Sequence, residues 1–275
     1  MIYITNDPAE AALVRDAGVD LVMVDLEILG KETRQGHLDT VISRHRIEDV
    51  SALRAALGEG ELVVRINPLH EGSQSEIEEV VARGADLLML PMFTNADELA
   101  RFVELVDGRA ATVALLETGA ALARLPEILK VAGVDSIHFG LNDLHLALGL
   151  DFMFEVMSGG LMDHAAGLCN AAGIRFGIGG VARLGQGVLP ADLVLAEHCR
   201  LGSQRVILSR DFRTLSATTP EDRVSAWTRA VGDLRRHLVK LEKRTISQVE
   251  SDQATFRDRV TQIATLRAAA GNSCD

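Results

Sequence analysis

Glu117 and Asp143 are the residues of this sequence best placed to do chemistry. Each closes an apolar run, Leu115-Leu116-Glu117-Thr118 in one case and Phe139-Gly140-Leu141-Asn142-Asp143-Leu144 in the other. A stretch of helix length separates the runs, so they read as parallel neighbours whose carboxyl ends open on one side. Two carboxylates at one mouth repel each other unless a proton or a cation lies between them. A hard divalent cation takes such oxygen ligands and keeps positions for substrate and water; Mg²⁺ is the first choice, with Mn²⁺ or Co²⁺ behind it.

The other strand ends add to this pair. Asp25 and Glu27 close one run, Arg65 and Asn67 a second, and Pro91 a third; Gly140 and Asn142 flank Asp143. An arginine inside an apolar strand is costly unless it meets an anion. Four carboxylates, one arginine and one cation make a pocket for a small carboxylate such as pyruvate. Arg65 would stabilise an enolate oxygen as charge develops, and Glu27, Pro91, Gly140, Asn142 and Asp143 would line the substrate. Simpler roles exist for each group. Glu117 or Asp143 can cap a helix or sit in its acidic first turn. Asp25 and Glu27 can be structural partners of Arg65. His37 and His45 lie in a long polar connection, residues 28–46, and are candidates for acid/base work against the alternative of solvated loop histidines. His138, inside a strand, reads as a core or supporting residue, and Cys169 and Cys199 read as core.

The elements that must position these groups alternate. Apolar, β-branched runs at Ile2–Thr5, Leu21–Leu26, Leu62–Ile66, Leu87–Leu90, Thr112–Leu116, Ser136–Phe139, Ile174–Ile178 and Arg205–Leu208 are separated by amphipathic stretches, among them Ala96–Val106 and Ala120–Val131. Strand–helix alternation builds right-handed βαβ units on a parallel sheet. Gly18, Gly84, Gly133, Gly173 and Gly202 each stand between a helix and the next strand, where a left-handed C-cap is expected. Eight such strands predict an α/β fold, a (β/α)8 (TIM) barrel over residues 1–212. No Gly-x-Gly-x-x-Gly follows the first strand, which argues against a dinucleotide fold. Residues 213–275 predict a helical C-terminal extension, opened by the cap Thr219-Pro220-Glu221-Asp222, whose apolar stripe wants a partner, either the barrel or another subunit.

Composition narrows the class. The net charge of −11 argues against a nucleic-acid binder. It is uneven: residues from Arg213 onward carry +3 and the remainder −14, so an anionic substrate needs positive charge supplied in the pocket. No apolar run approaches the ~20 residues of a membrane span. The first residues, Met-Ile-Tyr-Ile-Thr-Asn-Asp, lack the pattern of a signal peptide. Three cysteines without ligand spacing point to a reducing, cytoplasmic setting.

Four ordered segments carry a family resemblance: Arg65-Ile-Asn-Pro; Gly84-Ala-Asp-Leu-Leu-Met-Leu-Pro-Met92; Leu116-Glu-Thr-Gly-Ala-Ala-Leu-Ala-Arg-Leu-Pro-Glu-Ile128; and Gly133-Val-Asp-Ser-Ile-His-Phe-Gly-Leu-Asn-Asp-Leu144 with Leu148-Gly149. Over roughly residues 18–212 the chain resembles the class II, metal-dependent pyruvate aldolase/citrate lyase β-subunit family (HpcH/HpaI aldolase-like) of the phosphoenolpyruvate/pyruvate barrel superfamily. The resemblance implies a divalent ion on Glu117 and Asp143, Arg65 on the keto or enolate oxygen, and the backbone N–H groups of Asn142 and Asp143 on the substrate carboxylate. It implies that Asp25 positions metal-bound water. The implied reaction is reversible C–C cleavage of a small 2-oxo acid through a pyruvate-like enolate, in a homo-oligomer, trimer or hexamer, that swaps its terminal helix.

The chain departs from the hydroxy-oxo-acid aldolases in two places. Their histidine after the strand-2 glutamate and its aspartate partner are here Ile28 and Ala82, and Phe93-Thr94-Asn95 replaces a Gly-rich, arginine-bearing loop. Asp25-Leu26-Glu27 and Asn67-Pro68 lean toward the citrate-lyase-like branch, and Lys31, Arg34 and Gln35 are candidates for a second anionic group. The alternatives are an acyl-CoA lyase of the malyl/citramalyl type and a non-catalytic barrel that has lost the aldolase base.

Overall fold

The computed structural model describes residues 1–30, 43–217 and 219–271. Eight parallel strands pair in chain order and close on themselves. They are β1 (Ile2–Ile4), β2 (Leu21–Asp25), β3 (Leu62–Arg65), β4 (Leu87–Leu90), β5 (Ala111–Leu116), β6 (Ser136–Phe139), β7 (Arg175–Val181) and β8 (Arg205–Leu208). β1 pairs with both β2 and β8, which completes the predicted (β/α)8 barrel.

Side chains alternate across each strand, so one set faces the barrel axis and the other the helices. Ile2, Met23, Val63, Leu87, Met89, Val113 and Leu115 form the inner cluster. In the same layer the register sets Ser136 beside Val113, His138 beside Leu115, and then Gly177 and Arg205. The inner layer is therefore apolar along β1–β5 below the mouth, while Ser136 and His138 of β6 and Arg205 of β8 bring polar groups into it and Ile207 of β8 joins the apolar cluster. The alternate residues, such as Val22, Val64, Leu88, Ala114, Ile137 and Phe176, pack under the surrounding helices in the larger cluster.

Those helices are α1 (Pro8–Asp16), α2 (Ile47–Ala56), α3 (Ser73–Ala82), α4 (Ala96–Val106), α5 (Gly119–Ala123), α6 (Leu125–Ile128), α7 (Leu141–Ala147), α8 (Glu155–Ser158), α9 (Leu161–Ala172) and α10 (Ala191–Leu201). Asp7 and Asn95 cap α1 and α4 by accepting backbone N–H groups. The five glycines expected at helix ends all have φ between +67° and +98°.

Three elements differ from the sequence reading. The single helix expected over 120–131 is divided into α5 and α6, because Pro126 has no N–H to continue the first turn's ladder. β7 runs past Ile178 to Val181, with a register shift against β8 between Gly177 and Gly180. α7 and α8 follow β6, where the sequence named no helix beyond a cap at Asp143.

After β8 the chain turns through a 3-10 segment, Arg210–Ala217, into α11 (Pro220–Leu241) and α12 (Ile246–Gly271). Thr219 caps α11 as expected, accepting from Asp222 N–H at 3.4 Å. Both helices pack on the chain's own barrel. Trp227 stands edge-on to Tyr3 of β1 at 4.8 Å and lies on Phe212 at 5.5 Å. Phe256 of α12 meets Phe154 edge-on at 6.4 Å. Among the described residues, no helix is long and apolar enough to cross a membrane.

Candidate active site

Asp25 and Arg65 end β2 and β3 as register partners, so their side chains share one face at the carboxyl mouth. Arg65 grips Asp25 with two parallel bonds, Nε to Oδ1 at 2.8 Å and Nη2 to Oδ2 at 2.7 Å. Glu27 Oε2 lies 3.5 Å from Nη1. Asp25 and Glu27 are 1% and 2% exposed. Burial alone would lower the Arg65 pKa. The charges of Asp25 first, then Glu27 and Glu117, outweigh burial and raise it, so the guanidinium stays charged in the mouth. Asp25 Oδ1 also accepts the Glu27 N–H at 3.3 Å. Asp25 thus works as a clamp that fixes the guanidinium plane, and the structural pairing foreseen for it is present. The Nη1 edge makes the longer contact, to Glu27 at 3.5 Å, so it is the edge able to strengthen a bond to a substrate oxygen.

Glu117 follows β5 and is 3% exposed. It does not cap the next helix; Thr118 does, accepting the Ala121 N–H at 3.1 Å and donating to Phe93 O at 2.8 Å. The glutamate instead turns inward and accepts the Met92 N–H at 3.3 Å. Met92, directly after Pro91, has φ +59°. That left-handed conformation costs a non-glycine residue roughly 1 kcal/mol, and here it aims an N–H at a carboxylate. On the other side stands Gly140, whose N–H donates to Leu116 O at 2.9 Å. A Cβ at position 140 would fall 2.7 Å from Glu117 Oε2 and 2.8 Å from Glu117 Cβ. Only glycine lets the carboxylate stand there.

Gly140 is also the N-cap of α7, which places Asn142 and Asp143, both half-buried, in that helix's first turn. Asp143 is therefore a first-turn acid rather than the cap. The first N–H groups of a helix have no acceptor within it, so this turn offers donors beside Glu117. Among the described residues no three His, Cys, Asp or Glu side chains group as a metal site. The chain offers two carboxylates, Glu117 and Asp143, on adjacent segments, an oxygen donor set that suits a hard divalent cation completed by substrate and water.

His45 reaches the end of β2, where its Nδ1 accepts the Asp25 N–H at 3.0 Å. A neutral ring so held carries its proton on Nε2, so it presents a donor there. His37 lies outside the described residues, as do Lys31, Arg34 and Gln35. Ile28, at the place of the family histidine, is 52% exposed. His138 is a buried support, as read. Its Nε2 bonds Gly179 O at 3.2 Å, its Nδ1 has no partner among the described residues, and burial pushes its pKa down to about 4. Cys169 is buried and Cys199 half-buried, neither in a disulfide.

Sequence reasoning missed Glu76 and His70. Asn67 Oδ1 accepts the N–H groups of Ile28 at 2.9 Å and Leu29 at 3.0 Å. Its Nδ2 and backbone N–H both donate to Glu76 Oε1, at 2.8 and 3.1 Å. Glu76 Oε2 in turn meets His70 Nε2 at 3.1 Å. An acid in the first turn of the helix after an Asn-Pro strand end was the available signal.

The fold is a closed parallel (β/α)8 barrel with a clamped arginine and further carboxylates at its carboxyl mouth. The family model described as HpcH/HpaI aldolase/citrate lyase matches residues 1–155, and the chain belongs to that family of carbon–carbon lyases. Two solved structures are similar to it with a TM-score of 0.60: an HpcH/HpaI aldolase from Desulfitobacterium hafniense DCB-2 (17% identity, covering 82% of this chain and 92% of that one) and a family protein from Burkholderia cenocepacia J2315 (18%, 82% and 93%). The citrate synthase SbnG is also similar (18%, 82% and 93%, TM-score 0.57). At such identities the likeness concerns the fold. A search of curated proteins finds no significant match.

Proposed function

We propose that the protein is a divalent-metal-dependent carbon–carbon lyase that cleaves or forms a C–C bond of a small 2-oxo acid through a pyruvate-like enolate. The observation that carries this reading is the placement of Glu117, turned away from its helix, wedged between the Met92 N–H and the side-chain-free Gly140. A helix cap has no need of that arrangement; a ligand carboxylate does. Glu117 and Asp143 would hold the ion, which when bound supplies Lewis acidity toward the substrate oxygens. Arg65, its plane locked by Asp25, would direct Nη1 at the keto oxygen and stabilise the negative charge that arrives there as the C–C bond breaks. The N–H groups of Asn142 and Asp143 would orient the substrate carboxylate. His45 would present Nε2–H as a donor at the same rim.

An acyl-CoA lyase of the malyl/citramalyl type is the second reading. It is favoured by Ile28, which leaves no histidine on the strand-2 glutamate, and by Asn67 beside it. Both readings meet one experiment. Purified protein is assayed with Mg²⁺ or Mn²⁺ for cleavage of 4-hydroxy-2-oxo acids and of malyl- or citramalyl-CoA, alongside Glu117→Gln. Metal-dependent 2-oxo acid cleavage lost in the variant supports the first reading, and thioester cleavage alone moves the assignment to the second. Undiminished metal binding and activity in Glu117→Gln refutes the role given to that residue.

A further inference from the structure

We propose that the amino end of the barrel, opposite the mouth, binds a small oxyanion of the phosphate class between Arg175, Arg205 and Ser136. Each of the three is the first residue of its strand, Ser136 of β6, Arg175 of β7 and Arg205 of β8. The register puts all three on the axial face. Ser136 pairs with Arg175 and Gly177 with Arg205, and Arg175 and Gly177 stand two residues apart on β7. Arg205 reaches across β7 and donates from Nη1 to Ser136 Oγ at 2.7 Å. Glycine at position 177 makes that crossing possible, since a Cβ there would fall 2.8 Å from Arg205 Cβ.

The cluster is rich in donors and short of acceptors. Ser136, 1% exposed, accepts from Arg205, and among the described residues its own hydroxyl hydrogen has no acceptor. Arg54, Arg65, Arg200 and Arg244 each meet a carboxylate at 2.6 or 2.7 Å. Arg175 and Arg205 meet none among the described residues. Instead they act on each other. Burial first, and then the charge of Arg175, lower the Arg205 pKa, with Asp135 opposing them. Asp135 has its Oδ2 engaged by Thr112, accepting the backbone N–H at 2.7 Å and the hydroxyl at 3.2 Å. A guanidinium offers its N–H groups as a planar fork that fits two oxygens of one anion. Two forks and a hydroxyl, carried on three strands, match the several oxygens of a phosphate better than the two of a carboxylate. The anion ties β6, β7 and β8 at their starts, beside the point where the β7–β8 register shifts.

The test is thermal unfolding in sodium phosphate against sodium chloride at matched ionic strength. It compares wild type, Arg175→Gln, Arg175→Lys and, as a control, Arg101→Gln. Arg175 is exposed, so its variants keep the fold. Phosphate should raise the wild-type melting temperature along a saturating curve, because a ligand that binds only the folded state stabilises it by mass action. In Arg175→Gln the apparent affinity should fall about ten-fold or more, the worth of one charge-assisted hydrogen bond. Arg175→Lys keeps the charge without the fork and should lie between. Arg101→Gln removes a surface charge on α4 and should match wild type. Hydrogen exchange should slow with phosphate in the peptides that begin β6, β7 and β8. A rise that does not saturate, or that Arg175→Gln retains in full, overturns the site. Protection confined to α7 and the carboxyl mouth overturns it as well. None of these readouts involves the lyase reaction, so the outcome is independent of the function proposed above.

Discussion

Replacing Arg65 by methionine isolates the clamp at the mouth. Methionine keeps most of the volume and removes the charge. The structure then retains Asp25 and Glu27, 1% and 2% exposed, without their cation. Two short bonds to Asp25, at 2.8 and 2.7 Å, and the 3.5 Å contact to Glu27 are lost together. Breaking a buried pair by removing one partner costs about 3–5 kcal/mol, because the remaining charge stays desolvated. Against the ~5–15 kcal/mol that holds a domain together, the variant should fold but with a large deficit. The deficit should depend on pH. A buried carboxylate without a cation has its folded pKa raised, so the folded state binds more protons than the unfolded one and loses stability as pH rises. Urea unfolding followed by circular dichroism should show the largest gap from wild type at pH 8 and a smaller one at pH 5. A gap below about 1 kcal/mol, or one constant across that range, refutes the argument that Asp25 and Glu27 depend on Arg65 for their charge.

Two further outcomes follow from close contacts and burial. Gly140→Ala puts a methyl 2.7 Å from Glu117 Oε2, so the carboxylate must move. Mn²⁺ affinity, read by calorimetric titration, should fall by an order of magnitude or more for ~1–3 kcal/mol of lost stability, and an unchanged affinity would count against Glu117 as a ligand. His138 titrates near pH 4 when folded and near 6.5 when free, chiefly through burial, so between these values the unfolded chain binds the extra proton. Wild-type stability should therefore drop on acidification from pH 6.5 toward 4.5, and His138→Gln should lose roughly 1–3 kcal/mol less over that interval in urea titrations.

The strands and the mouth were readable because of one physical constraint. A parallel sheet covered by helices needs residues that are apolar on both faces, so the first polar side chain after each run marks the rim. Asp25, Arg65 and Glu117 all stand where that rule puts them. The sequence could not separate Glu117 from Thr118 as the cap of α5, since Leu-Glu-Thr-Gly admits either; the turn of the chain decides it. Met92 gave no sign of its left-handed backbone, because methionine has no preference for that region. Glu76 and His70 were hidden for another reason. The bonds of Glu76 to Asn67 and to His70 depend on the path of the loop between β3 and α3, which has no periodicity to read. β7 was cut short because Gly179-Gly180 resembles a turn, whereas pairing with β8 carries the strand through it.

The packing of α11 on the first strand sets an order of events in folding. Tyr3 of β1 is covered by Trp227, and Arg235 donates to Asp20 Oδ1 at 2.7 Å, a pair 215 residues apart in the chain. The first βα unit leaves the ribosome early but lacks its outer cover until the last quarter of the chain has followed. Contacts of such sequence separation are slow to form, and the surfaces awaiting them stay exposed meanwhile. The nascent amino-terminal portion is therefore the part of this protein most in need of protection during synthesis, and a chain cut after β8 would carry that exposed seam permanently.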